Sequence, residues 1–198
     1  MRSILRCLVL TLALHSLPAS PQSAASQPSA HATAAQANPA GVTVHRVRAG
    51  ALDASGWSIA DSTHGDFAVR VPCLFNDLSL QGSETLASVE TVGCRAEDQR
   101  KYSASRFKYR QGAAARKYFE DISGSRRLEG ETARRRIMFN GYPAVEVDFY
   151  SSSQCGTTRS VLVGVEVMQL TVAAPTSACS SLTVRAASFL ASLRMTLN

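Results

Sequence analysis

The sequence predicts an α+β domain, an antiparallel β-sheet with helices packed on its faces. Short runs that alternate apolar with polar residues, bounded by turn residues, recur along the chain and read as half-buried strands. Two segments alone, 112–123 and the stretch after 176, carry helical period. Helices this few cannot alternate with every strand, as a parallel sheet would require.

Taken from the N-terminus, residues 1–25 read as a signal peptide. Arg2 and Arg6 make a positive start, Cys7–Leu14 is apolar, and small residues follow. The apolar run falls short of the ~20 residues that span a bilayer. Cleavage after Ala25 or after Ala32 fits the small-x-small rule. No Arg-Arg pair marks twin-arginine export, and Cys7 sits too early for a lipoprotein cysteine. Residues 26–41 are Ala, Ser, Pro and Gln with almost nothing else, which predicts a disordered spacer. Residues 42–198 are then one domain, large enough to bury roughly 70% of its unfolded surface. No later apolar run is long enough to anchor the chain in a membrane after cleavage. The expected location is periplasmic or secreted.

Without Cys7, four cysteines remain: Cys73, Cys94, Cys155 and Cys179. An even number in an exported chain points to two disulfides, with three pairings open. A four-thiolate metal site would need Cys-x-x-Cys pairs, and there are none.

Val42–Val47 alternates, as a strand or an extended lead-in, and Trp57-Ser58-Ile59 is a second short apolar patch. Phe67, Val69 and Val71 alternate with Ala68 and Arg70 in a strand ended by Pro72. Residues 73–95 read as irregular. Tyr102–Tyr109 reads as a strand. Gly112–Ser123 is a helix, with Tyr118, Phe119 and Ile122 as its apolar stripe and Gly124 as its stop. Thr132–Phe139 is a strand, and Asn140-Gly141 is a tight turn into the next, where Val145, Val147 and Phe149 face one way. Ser160–Val163 and Val167–Ala173 form a hairpin around Gly164-Val165-Glu166. Thr176 or Ser177 caps a last helix, with Leu182, Ala186, Phe189, Leu190 and Leu193 on one face.

This hairpin suggests the cysteine pairing. Two antiparallel passes return Cys179 to the sheet edge that holds Cys155, which leaves Cys73 for Cys94.

Several segments together resemble the PsbP-like fold superfamily. They are Gly65-Asp66-Phe67-Ala68-Val69-Arg70-Val71-Pro72, Asn140-Gly141-Tyr142-Pro143-Ala144-Val145-Glu146, Arg159–Gly164, Met168–Pro175 and Phe189-Leu190-Ala191-Ser192-Leu193. The resemblance runs from about Trp57 to Leu197, with little from residues 73–131. It implies an αβα sandwich. The chain departs from the pattern at Val165-Glu166 and in its four cysteines. These motifs mark turns, a hairpin and a core helix, so no functional residue carries over.

Chemistry is sparse. His64 and Asp66 with a serine would make a triad on paper, but no Gly-x-Ser-x-Gly elbow exists, and His64-Gly65-Asp66 reads as a turn. The carboxylate pairs Glu97-Asp98, Glu120-Asp121 and Glu129/Glu131 lie among arginines and read as a salt-bridged surface. There is no Gly-rich phosphate loop and no His-x-x-x-His. No catalytic, cofactor-binding or metal-binding residue is assigned, and no cofactor is expected.

The remaining signal is charge. Residues 95–136 hold 13 of the 21 Lys and Arg against 6 acids. Arg126, Arg127, Arg134, Arg135 and Arg136 form the candidate basic binding face, and Tyr102, Phe107, Tyr109, Tyr118 and Phe119 interleave with cations nearby. Nucleic acids use such a mix, but export argues against them as partners. An acidic envelope protein or an anionic envelope surface fits better. An Arg-rich solvated surface is the plain alternative. The chain reads as an exported, non-enzymatic binding or interaction module with a basic face. A small secreted hydrolase with an unrecognised site, or a secreted inhibitor or effector, are the other readings.

Overall fold

Alternation dominates the described chain, and the architecture follows from it. The computed structural model describes residues 36–37 and 41–196, so the segment read as a signal peptide and most of the segment read as a spacer lie outside the described residues. Seven strands come first: β1 (Gln36–Ala37), β2 (Val42–Ala49), β3 (Ser58–Asp61), β4 (Phe67–Val71), β5 (Phe75–Gln81), β6 (Leu86–Arg95) and β7 (Lys101–Tyr109). Helix α1 (Gly112–Ser123) follows. Then come β8 (Glu131–Phe139), β9 (Tyr142–Tyr150), β10 (Gln154–Val163) and β11 (Glu166–Pro175). A 3₁₀ segment (Thr176–Ser181), helix α2 (Thr183–Leu190) and β12 (Arg194–Met195) close the fold. The result is mostly antiparallel β-sheet with a few short helices.

Nine strands form one sheet in the order β1-β2-β5-β6-β7-β11-β10-β9-β8, and β12-β4-β3 form a second. Every pairing in both is antiparallel. Gln36 and Ala37, inside the segment read as a spacer, pair with Val44 and Thr43.

Alternation along the strands feeds two apolar clusters. Ala144 on β9, Val161 and Val163 on β10, and Met168, Leu170, Val172 and Ala174 on β11 join one cluster. The small sheet adds Phe67, Val69 and Val71, and the α2 region adds Leu182, Ala186, Phe189, Leu190 and Leu193. Val145 and Val147, their neighbours on β9, point the other way and meet Phe119 and Ile122 of α1. Ala115, Phe119 and Ile122 recur at i, i+4 and i+7, one stripe of a helix. Burying Phe119 and Ile122 stabilises by about 1.5–3 kcal/mol each.

Asn140 and Gly141 carry φ of 50° and 83° at the β8–β9 turn, the left-handed pair that a two-residue hairpin demands. Gly164 opens the β10–β11 turn with φ of 59°. Both turns lie where the dipeptides place them.

Residues 73–95 differ from the expectation. They are not irregular: β5 and β6 lie in this stretch, paired from Asn76↔Gly93 to Gln81↔Ser88. The end of α1 also differs in kind. Gly124 stops the helix in extended conformation, with φ of −67° and ψ of −177°, so no left-handed cap forms. The 3₁₀ segment precedes α2, whose N-cap position is Leu182, and no side chain caps either element.

The cysteines pair as Cys73–Cys94 and Cys155–Cys179, each with Cα atoms 5.9 Å apart. Cys155 lies opposite Ala174 across the β10–β11 ladder, and Cys179 follows β11 by a few residues. Each closed loop adds about 3 kcal/mol on the chain-entropy account.

Candidate functional site

Two polar regions qualify, and they lie on different strands of the large sheet. The first holds the five arginines. Successive side chains of a strand face opposite ways, so three consecutive residues of β8 cannot share a face. Arg134 and Arg136 point towards the end of α1. Arg136 donates to the Ser123 carbonyl through Nε at 3.0 Å and through an η nitrogen at 2.7 Å. Arg134 donates to the carbonyls of Gly124 and Arg126 and pairs with Glu131 at 2.5 Å. The last turn of α1 has no basic residue of its own. The two β8 arginines supply the positive charge that the carbonyl end of a helix favours.

Arg135 points to the opposite face. It pairs with Glu146 at 3.1 Å and with Asp148 at 2.8 Å. Glu146 is buried and also pairs with Arg159, whose guanidinium lies 4.8 Å from the Phe139 ring centre and donates to the Leu190 carbonyl. Arg126 and Arg127 are exposed in the loop after α1. The structure therefore groups Arg126, Arg127 and Arg136 near the end of α1, holds Arg134 in an ion pair beside them, and separates Arg135 from all four.

The interleaved aromatics serve packing. Tyr102 is buried against Phe189, with ring centres 5.5 Å apart. Tyr118 of α1 lies 6.5 Å from Phe107 and 6.0 Å from Tyr109. Phe119 is buried under α1. The carboxylate pairs meet cations: Asp98 with Arg100, Asp121 with Lys117, and Glu131 with Arg134. Burial opposes ionisation of Glu131, but the Leu128 N–H and Arg134 outweigh it and hold its carboxyl below the usual range.

The second region comes from the stretch read as irregular. Thr43 on β2, Ser79 on β5, Glu90 on β6 and Arg106 on β7 are cross-strand partners in one row, so their side chains share a face. The turn before β4 leans over this row. Arg106 donates to the Gly65 carbonyl and pairs with Asp66 at 3.2 Å and Glu166 at 2.6 Å. His64 and His45 meet edge-on at 4.5 Å between ring centres, and His45 Nε2 lies 2.9 Å from the Ser79 hydroxyl. Asp77 is fully buried, accepts from the Thr63 N–H at 2.9 Å and from the Thr63 hydroxyl, and pairs with Arg46 at 3.1 Å. Glu90 is 9% exposed, and its Oε2 has no hydrogen-bond partner. Burial pushes its carboxyl above the usual range, against the pull of His45, His64 and the Ser88 hydroxyl.

A shallow groove of about 510 Å³ opens beside this row. Thr43, Ser79, Gln81, Ser88 and Glu90 line it. A serine hydroxyl within reach of an imidazole is half of a nucleophile–base pair. No carboxylate hydrogen-bonds either imidazole among the described residues, so the base lacks an orienting group. His64-Gly65-Asp66 forms the turn expected of it, with Asp66 at φ of 49°.

Sequence reasoning missed this region because its inward positions are polar. Phe75, Asp77 and Ser79 alternate inward, and only the first is apolar. The spacing of two is present in the sequence, but composition conceals it.

Among the described residues, no group of three or more His, Cys, Asp and Glu is arranged to hold a metal ion, and no helix is long and apolar enough to cross a membrane. No protein-family model matches the chain, and no curated protein does. Among solved structures, the fold is similar to the solution structure of cyanobacterial PsbP (CyanoP) from Synechocystis sp. PCC 6803. Identity is 7% and the TM-score 0.47, over 75% of this chain and 97% of that one. Nothing about this chain's role follows from that likeness.

Proposed function

We propose that this chain is an exported, non-enzymatic interaction module that engages an acidic partner, a protein or an anionic envelope surface, through arginines at the end of α1. Its architecture on this reading is an αβα sandwich, with α1 over one face of the large sheet and α2 over the other. The supporting observation is local. Arg126, Arg127 and Arg136 are exposed and form no ion pair among the described residues. Arg136 is also held in place by the Ser123 carbonyl. A guanidinium fixed in this way keeps further N–H donors for a carboxylate or phosphate and loses less freedom on binding. The two disulfides fit an oxidising compartment outside the cytoplasm.

The test compares retention of the parent and of R126Q/R127Q/R136Q on phosphatidylglycerol vesicles at rising salt. The parent should bind at low ionic strength and release as the Debye length shortens to ~8 Å. The triple variant should lose binding, while R135Q should keep it. Equal binding of parent and triple variant would overturn the reading. The Ser79–His45 contact favours a second reading, a small hydrolase. Ester turnover by the parent that Ser79→Ala abolished would establish it in place of the first.

A further inference from the structure

Glu90 is the carboxylate of the described chain most at odds with its surroundings. Its neighbours have already found their charges. Asp77 holds Arg46, and Glu166 and Asp66 hold Arg106, the cross-strand partner of Glu90 itself. The remaining groups that face Glu90 are His45 of β2, His64 of the turn before β4, Asp77 of β5 and Ser88 of β6. His45 is engaged with Ser79. Among the described residues no lysine or arginine pairs with Glu90; the Ser88 hydroxyl donates to it, and its Oε2 has no donor, an incomplete set for a buried carboxylate.

The groove runs beside this carboxylate. Glu90 lines it, together with the hydroxyls of Thr43, Ser79 and Ser88 and the amide of Gln81. Among the described residues no lysine or arginine lines it. From these observations we infer that the groove between β2, β5 and β6 binds a small organic cation, a primary ammonium or a guanidinium, with Glu90 as its counter-charge. The carboxylate accepts charge-assisted hydrogen bonds, which are about twice as strong as neutral ones. The hydroxyl oxygens and the Gln81 carbonyl accept the remaining N–H groups. A neutral polyol would bring donors but no charge, so the carboxylate would stay uncompensated. An anion would meet that carboxylate directly.

Binding requires the ionised carboxylate. Burial favours the protonated form, so binding displaces a proton and weakens as pH falls. This site is separate from the arginines at the end of α1, and each stands without the other.

The experiment titrates the purified full chain with 1,5-diaminopentane, followed by amide NMR shifts. Sorbitol and acetate serve as controls. Saturable shifts should appear at Thr43, Ser79 and Ser88, and neither control should produce them. Glu90→Gln should weaken binding by about tenfold or more. R126Q/R127Q should leave it unchanged. In the parent, affinity should fall as pH is lowered. Should Glu90→Gln prove poorly folded, Ser79→Ala and the pH series on the parent carry the test. Absence of saturable shifts up to about 10 mM, well above a millimolar dissociation constant, would overturn the inference. So would equal binding by a folded Glu90→Gln, or affinity independent of pH.

Discussion

The two ends of the large sheet treat charge in opposite ways. The β8 end is rich in arginine, and most of that charge is answered locally by Glu131, Glu146, Asp148 and the carbonyls ending α1. Around β5 and β6 the arginines are also answered, by Asp77, Asp66 and Glu166, yet Glu90 has no lysine or arginine partner and its Oε2 no hydrogen bond among the described residues. A run of cations therefore does not make a cationic surface, and one buried acid can matter more than several exposed bases. Solvent and neighbouring acids screen the first kind of charge, whereas burial amplifies the second.

The comparison breaks first at Glu146, where the largest effect is expected. Glu146 and Arg159 have side chains only 11% and 12% exposed, and Arg135 shares the acid. Glu146→Gln would leave Arg159 without its counter-charge. It should cost about 3 kcal/mol, at the low end for breaking a buried pair. Denaturant unfolding measures this. A loss under about 1 kcal/mol would mean that the β8 network behaves like surface charge.

Glu90→Gln should act in the opposite direction. Removing an unsatisfied buried charge should stabilise by about 1 kcal/mol at pH 7, a rise of roughly 2–4 °C in Tm. Its pH dependence follows from linkage. An acid whose folded pKa lies above its unfolded value binds more protons when folded. Its stability contribution is complete below the unfolded value and is lost as pH rises towards the folded one. The advantage of Glu90→Gln should therefore be greatest at neutral pH and vanish below about pH 4. Melting curves of both proteins at pH 7 and pH 4 test this. A gap that widened with acid would show that Glu90 is stabilised as the anion.

The smallest effect sharpens the comparison at the arginine end. Arg136→Gln removes a cation from the carbonyl end of α1 and should cost about 0.3–1 kcal/mol. A loss above about 2 kcal/mol would make Arg136 a structural residue and remove it from the proposed contact surface.

Much of the fold was legible because periodicity and turn chemistry agreed. Helix α1 spans the residues that its apolar stripe and flanking glycines mark. The Asn140-Gly141 and Gly164 turns set two hairpins, and the second hairpin brings Cys155 and Cys179 together. β5 and β6 were not legible, because Asp77, Ser79 and Glu90 occupy positions where a core-facing strand usually carries apolar groups. Their partners, Arg46, Thr63 and His45, lie 14 to 34 residues away in sequence. The split among Arg134, Arg135 and Arg136 was implicit in the strand period, but the acids that answer Arg135 come from β9, across the hairpin.

The cysteine connectivity also bears on how the chain acquires its cross-links. Cys73 joins Cys94 and Cys155 joins Cys179, so neither loop encloses or crosses the other. As the chain emerges N-terminus first, each of these four cysteines finds its mate in the next of them to appear. The first bridge can close before either cysteine of the second has emerged. An oxidant that joins thiols in order of arrival gives the native pattern directly, and reshuffling by an isomerase is not required.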